Sequence, residues 1–269
     1  MSAPKKSLGQ NFLMHPQIAE RIVSVSGVGS NDTVLEIGPG TGMLTRELLK
    51  KVKKVIAVEA DDELVPELAE TFAQEIEEGR LVLIHEDIRT FKVEEYISGP
   101  YAVVANIPYY ITGEIIRSFL SAEHKPSSMT ILVQKEVAER IARLDPKKPK
   151  ESILSLSVKV FGTPKYCFTV PRGAFRPSPN VDSAVLSIQN IDSKTFKTPK
   201  DEEFFFTLLK AGFAHKRKRL AKNLEDLFSS NIVEETLAKS ELQKDVRPED
   251  LTLSNWLTLA SSFAKTAKK

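Results

Sequence analysis

Thr33-Val34-Leu35-Glu36-Ile37-Gly38-Pro39-Gly40-Thr41-Gly42-Met43-Leu44 is the stretch that decides the fold. A mostly apolar run breaks into alternating glycines and then resumes with helix formers, which predicts a strand over Thr33–Ile37, a tight loop, and a helix over Met43–Lys50. Glycines in such a loop let backbone approach a ligand closely and begin a helix whose N-terminus is electropositive. The spacing is GxGxG. The third glycine of the dinucleotide fingerprint GxGxxG would fall on Met43, which argues against a nicotinamide cofactor.

Outward from this loop the same unit repeats. Strands are predicted at Val55–Val58, Leu81–Ile84, Tyr101–Ala105 and Met129–Val133, with helices at Asp61–Gln74, Gly113–Leu120 and Lys135–Ile141. A further helix begins near Pro16, with Ile18, Ile22 and Val25 as its apolar face. Strands alternating with helices imply βαβ units and a mostly parallel sheet, an α/β Rossmann-like fold. Past Leu144 comes a basic, proline-rich loop, Asp145-Pro146-Lys147-Lys148-Pro149-Lys150. Strand-like segments follow at Ile153–Val160, Lys165–Val170 and Ala184–Ile188. From about Ser193 the pattern is helical, with Phe204, Phe205, Leu208, Leu209 and Phe213 on one face, then Leu220, Leu224, Leu227 and Phe228, then Trp256, Leu257, Ala260 and Phe263. The expected division is therefore a domain at 1–192 and a small all-α domain at 193–269.

Bulk properties exclude several classes. The 269 residues are 41% hydrophobic and 28% charged, with a net charge of +2. These are values of an ordinary globular protein in which any nucleic-acid site must be local. The single Cys167 excludes an intramolecular disulfide, and the scattered His15, His85, His124 and His215 suggest no metal site. No apolar run reaches membrane-spanning length and no leader is evident, so a cytoplasmic, membrane-free protein is expected.

In an open α/β sheet ligands bind beyond the carboxyl ends of the strands, and four polar signals fall there. The first is the glycine loop. Glu59 ends the second strand about 20 residues past that loop, where an acidic side chain accepts from ribose hydroxyls. Glu86-Asp87-Ile88 ends the third, where a carboxylate can accept from an exocyclic amine and Ile88 can cover a ring face. Asn106-Ile107-Pro108-Tyr109-Tyr110 ends the fourth, offering an amide, a proline-stiffened turn and aromatic faces suited to a planar, hydrogen-bonding ring. Alone, that turn reads more readily as a strand end with surface aromatics. Together the four describe a nucleoside site beside a nucleobase-shaped site.

Glu36-Ile37-Gly38-Pro39-Gly40-Thr41-Gly42, Val58-Glu59, Asp87-Ile88 and Asn106-Ile107-Pro108-Tyr109 resemble the motifs of class I S-adenosylmethionine-dependent methyltransferases, the last in its adenine-N6 form. More narrowly, Leu8-Gly9-Gln10-Asn11-Phe12-Leu13, Gln134-Lys135-Glu136-Val137-Ala138, Phe175-Arg176-Pro177-Ser178-Pro179 and the basic run at Lys216 resemble the rRNA adenine dimethyltransferases, small-subunit (KsgA/RsmA) branch. Arg247-Pro248-Glu249-Asp250-Leu251 resembles that branch's C-terminal segment. Two positions depart from the family: His15 stands where an acidic residue is usual, and Tyr110 where many bacterial members carry Asn.

The resemblance implies twofold methylation of N6 on each of two adjacent adenosines in the hairpin near the 3′ end of small-subunit rRNA, with immature small subunits as partner and a monomeric enzyme. It assigns the acceptor site to Asn106, Ile107, Pro108, Tyr109 and Phe175. S-adenosylmethionine falls to Gln10, Asn11, Leu13, Gly38, Glu59, Asp87, Ile88 and the backbone of Asn106. Tyr110 receives no role. RNA contact is assigned to Lys216, Arg217, Lys218 and Arg219, expected to open a helix whose leucines face the core, and to Lys147 and Lys148, with Arg143 and Lys150 nearby. Competing expectations are a large-subunit rRNA methylase of the erythromycin-resistance type, a DNA adenine methylase, and an assembly factor with vestigial catalysis.

Overall fold

The computed structural model describes residues 5, 9–142, 150–215 and 217–266. In chain order the elements begin with β1 (Phe12–Leu13), α1 (Pro16–Ser26), β2 (Thr33–Ile37), α2 (Met43–Leu49), β3 (Lys54–Glu59), α3 (Leu64–Thr71), α4 (Ala73–Glu77) and β4 (Leu81–His85). There follow β5 (Ala102–Asn106), α5 (Thr112–Ser121), β6 (Ser128–Gln134), α6 (Lys135–Ala142), α7 (Ile153–Phe161), β7 (Thr163–Val170), β8 (Phe175–Arg176) and β9 (Ser183–Gln189). The last four helices are α8 (Pro199–Gly212), α9 (Leu220–Leu224), α10 (Ser230–Lys239) and α11 (Leu253–Thr266).

Two compact units result, Met1–Ala142 with Gly162–Asp192, and Arg143–Phe161 with Ser193–Lys269. The first unit holds a seven-stranded sheet of order β4-β3-β2-β5-β6-β9-β7. Neighbours from β4 to β6 are parallel, and β9 is antiparallel to both β6 and β7. Val34, Val55, Ala57, Ala102 and Val104 join α1, α2 and α3 in one core, and the intervening Leu35, Ile56, Val103 and Ala105 are as deeply buried. Burial on both faces explains why these strands read as continuous apolar runs rather than alternating ones.

The chain runs outward from β2 through β3 to β4, then returns to the other side of β2 as β5. The sheet therefore has its switch point between β2 and β5. Register sets the strand ends level there: Ile37 pairs with both Val58 and Ala105, and Glu59 pairs with His85. Gly38, Glu59, Glu86 and Asn106 are thus brought to one edge.

Three sequence expectations need correction. The Asp61–Gln74 helix is two helices starting at Leu64 and broken at Phe72, whose backbone leaves the helical region at φ −115°. Its ring lies against Gly42, where a Cβ would come within 2.5 Å of it, while φ +76° independently favours glycine. The expected strand at Ile153–Val160 is helix α7. Its apolar run is too short for periodicity to separate strand from helix. The decisive feature is a reciprocal cap: Ser155 N–H donates to Ser152 Oγ at 3.1 Å, and Ser152 N–H to Ser155 Oγ at 2.7 Å. This helix belongs with the second unit, whereas the sequence division at 192 put it in the first. Beyond these corrections, β1 pairs antiparallel with β8, Leu13 opposite Phe175, a link between distant parts of the chain that no local pattern announces. His15 precedes α1 without a side-chain cap, as its departure from an acidic residue suggests.

In the second unit Phe205, Leu208, Leu209, Leu220, Leu224, Trp256 and Phe263 form the core. Phe213 stacks on Trp256 at 5.6 Å and Phe228 on Phe263 at 4.3 Å. Leu227, expected inside, is 41% exposed.

Candidate active site

A cleft at the switch point is lined by Gln10, Asn11, Leu13, Gly38, Glu59, Asp87, Ile88, Asn106, Ile107, Pro108 and Tyr109. These include every residue assigned to cofactor, drawn from the segment before α1 and from the ends of β2, β3, β4 and β5. Gly38 has φ +64°, and its N–H donates to Val58 O at 2.9 Å, locking the loop to the end of β3. A Cβ on Gly38 would stand 3.9 Å from Asn106 O, so this loop lies directly beside the turn after β5.

Glu59 is buried, and each carboxylate oxygen takes one backbone N–H: Oε2 from Gly40 at 3.0 Å and Oε1 from Asp61 at 3.0 Å. Each oxygen keeps a further lone pair for a hydroxyl. Burial raises its pKa, and the N–H groups of Asp61 and Gly40 oppose that rise. Asp87 is held in its charged form, chiefly by hydrogen bonds from the Arg89 side chain, whose Nε lies 3.0 Å from Oδ1. Glu36 is 1% exposed with no partner for Oε2 among the described residues. Burial pushes its pKa up to about 8, with the neighbouring Glu59 charge adding to the rise. It is a buried carboxyl at the end of β2 that stays neutral below about pH 8.

Asn106 donates Nδ2–H to the Asn11 backbone O at 3.1 Å. That bond turns the amide oxygen away from Asn11 and leaves it as an acceptor. The Tyr109 hydroxyl shares a 2.5 Å hydrogen bond with Ser183 Oγ at the start of β9, which fixes the ring. Desolvation raises its pKa. Tyr110 is 64% exposed, and its Cε1 would lie 3.0 Å from a Cβ on Gly9, so its ring edge covers that glycine. Both tyrosines line the cleft. Phe175 does not: it is 4% exposed in the core beside Leu13, supporting the wall through the β1–β8 pairing instead of presenting its ring to the cleft.

Sequence reasoning passed over Asp61, the buried carboxylate that ties Gln10 to the end of β3, because it looked like the first turn of a helix. Arg89 and Phe12 were also missed. Of the basic residues, Lys147, Lys148, Arg143 and Lys216 lie outside the described residues. Arg217, Lys218 and Arg219 are exposed, and none has an ion pair among the described residues. They precede α9, which starts at Leu220, rather than opening it. Buried Asn223 holds this turn from inside, donating to Gly212 O at 2.5 Å and His215 O at 3.3 Å. Among the described residues no group of acidic, His and Cys side chains could hold a metal, and no helix is long and apolar enough to cross a membrane.

A mostly parallel sheet with a glycine loop, a buried strand-end carboxylate and an Asn-Ile-Pro-Tyr turn at its switch point defines a class I methyltransferase. The chain matches the model of the family described as "Ribosomal RNA adenine dimethylase" over residues 1–265, and it belongs to that family, which makes it an S-adenosylmethionine-dependent rRNA methyltransferase. It is 38% identical to the "Ribosomal RNA small subunit methyltransferase A" of Fusobacterium nucleatum over 96% of this chain and 97% of that one. It is 39% identical to the protein of the same name from Dehalococcoides mccartyi over 97% and 88%. Among solved structures, a dimethyladenosine transferase from Plasmodium falciparum superposes with a TM-score of 0.76 at 26% identity, covering 95% of this chain and 98% of that one. The 23S rRNA methyltransferase ErmE shares the fold, with a TM-score of 0.76 at 24% identity over 94% and 100%.

Proposed function

We propose that the protein dimethylates N6 of two adjacent adenosines in the 3′-terminal hairpin of small-subunit rRNA, acting in the cytoplasm as a monomer during small-subunit maturation. The observation that carries the chemistry is the Asn106 amide, its nitrogen held by Asn11 and its oxygen without a partner among the described residues, at the edge where the glycine loop lies. The relatives named for the small subunit support that substrate over the large subunit.

The cleft suits the cofactor on its own chemistry. Its glycines sit at positive φ where backbone must come close, and Glu59 has acceptor capacity left for ribose hydroxyls. Gln10, Asn11, Leu13, Gly38, Glu59, Asp87 and Ile88 would hold S-adenosylmethionine, whose carboxylate-rich surroundings favour a cation. When bound, it supplies an electrophilic methyl group on a positively charged sulfur.

The chain's own residues supply the rest. An adenine amine is a weak nucleophile because its lone pair is delocalised into the ring. With the Asn106 Oδ1 and the Ile107 backbone carbonyl accepting its two hydrogens, the nitrogen can pyramidalise and aim its lone pair at the methyl. Positive charge developing on nitrogen then meets acceptors already in place. The base must first leave its stack. Tyr109, its ring fixed through Ser183, is the stacking platform and contributes about 1–3 kcal/mol. Arg217, Lys218 and Arg219 of the helical unit, with Lys216, Lys147 and Lys148, bind the RNA backbone.

The test is transfer of labelled methyl to unmethylated small subunits, free rRNA, large subunits and DNA, with the product mapped by nucleoside analysis. N6,N6-dimethyladenosine at two neighbouring positions of small-subunit rRNA is expected. Preferential labelling of large subunits or DNA would overturn the substrate assignment.

A further inference from the structure

Asp61 lies just beyond the end of β3, is 2% exposed, and uses its N–H and both carboxylate oxygens. Its N–H donates to Glu59 Oε1 at 3.0 Å. Oδ2 accepts from Gln10 Nε2 at 2.6 Å, and Oδ1 accepts from Lys5 Nζ at 2.7 Å and from Glu63 N–H at 3.0 Å. The ring is closed by Lys5 N–H, which donates to Gln10 Oε1 at 2.7 Å. The residue after Gln10 is Asn11, whose carbonyl holds the Asn106 amide at the other side of the cleft. One short connected path therefore runs from the ribose carboxylate to the acceptor amide: Glu59, Asp61, Gln10, Asn11, Asn106. Gly9, before Gln10, is covered by the Tyr110 ring edge, and its φ of +61° lets the chain turn there.

Resting on the reading of Asn106 as the amine acceptor, we propose that Asp61 is a positioning residue for methyl transfer: clamped by Lys5, it holds Gln10 against the cofactor corner and thereby sets Asn11 under the Asn106 amide. A buried carboxylate would normally be costly to keep charged. Burial acts to raise its pKa, and the hydrogen bonds from Lys5 and Gln10 more than reverse this, leaving it below the ordinary carboxylate value. Charge and geometry thus depend on the same partners, with the Glu63 N–H adding to both. Neither Asp61 nor Lys5 lines the cleft, so each acts through Gln10 and Asn11.

The polarity of these bonds gives a specific test. Asp61→Asn turns one acceptor oxygen into a donor, so a donor faces either the Lys5 ammonium or the Gln10 amide. In Asp61→Asn, affinity for S-adenosylhomocysteine by calorimetry and kcat should each fall about tenfold, the loss of one charge-assisted hydrogen bond, while KM for the RNA stays unchanged. Amide exchange over Gly9–Leu13 in the free protein should quicken. Lys5→Met should reproduce the single loss, and Lys5→Arg, which keeps the cation, should retain most of the affinity and rate.

Wild-type affinity and kcat in Asp61→Asn would overturn the proposal. So would a Lys5→Met variant with wild-type affinity, or losses that track a lowered melting temperature. Failure of the underlying reading is separable: Asn106→Ala with normal turnover removes the acceptor assignment, while the calorimetric response of Asp61 is measured without any acceptor.

Discussion

The strand-end cleft and the basic turn before α9 both present polar groups for a ligand, and they are built on opposite principles. In the cleft nearly every such group already has a partner within the chain: Asn106 has Asn11, Glu59 has Gly40 and Asp61, and Tyr109 has Ser183. Binding groups are oriented before anything arrives, and each depends on its neighbour. In the turn, Arg217, Lys218 and Arg219 are exposed with no ion pair among the described residues, and order comes from beneath through the buried Asn223 amide. Chemistry at one atom demands preorganised geometry. Attraction to a polyanion needs charge density alone.

That difference predicts how each region fails. Asn106→Ala should reduce methyl transfer by about a thousandfold, since the acceptor that strengthens in the transition state is gone. Single-turnover assays should show this with cofactor binding largely intact; near-normal turnover would remove the contrast altogether.

Glu36 tests the cleft's electrostatics through stability. Below pH 4.5 its carboxyl is protonated in both folded and unfolded chains, and above about 8 it is ionised in both. Between those values only the unfolded chain ionises, so this group lowers stability by about 1.4 kcal/mol per pH unit as pH rises. Glu36→Gln lacks that slope. Urea unfolding at pH 5 and pH 8 should show the variant gaining on the wild type with pH, and a constant difference would contradict the buried neutral carboxyl.

The turn should respond more gently. Asn223→Ala leaves the Gly212 and His215 carbonyls without their donor and should cost about 1–3 kcal/mol, read by thermal unfolding. Smallest per residue is the surface charge. Replacing Arg217 and Lys218 together by Glu should flatten the dependence of RNA affinity on salt by about one unit of log–log slope for each phosphate no longer neutralised, with kcat on bound RNA unchanged. An unchanged slope would detach this turn from RNA binding.

The fold was largely legible because β2, β3, β5 and β6 are buried on both faces and carry their apolar runs between breaks in the pattern. The predicted strands at Thr33–Ile37, Val55–Val58 and Met129–Val133 lie inside or match the observed ones. The site was legible for a related reason. In a parallel sheet every strand delivers its last residue to the same edge, so Gly38, Glu59, Asp87 and Asn106 could be placed together without knowing how any of them is bonded. Legibility failed where a short apolar run met an inconspicuous cap, as between Ser152 and Ser155 at the start of α7, and where the partner was distant in sequence. The placement of Phe175 behind Leu13 and the capture of Asp61 by Lys5 and Gln10 are of that second kind.

The sequence alone therefore determined the α/β architecture, the alternation of strands and helical segments from β2 to β6, and which residues reach the strand ends, because these follow from local periodicity and breakers. Only the tertiary structure decided which lone pairs and donors remain available there. Asn106 presents its oxygen because a backbone carbonyl 95 positions earlier takes its nitrogen, and hydrogen-bond partners of that separation are set by packing, not by any pattern along the chain.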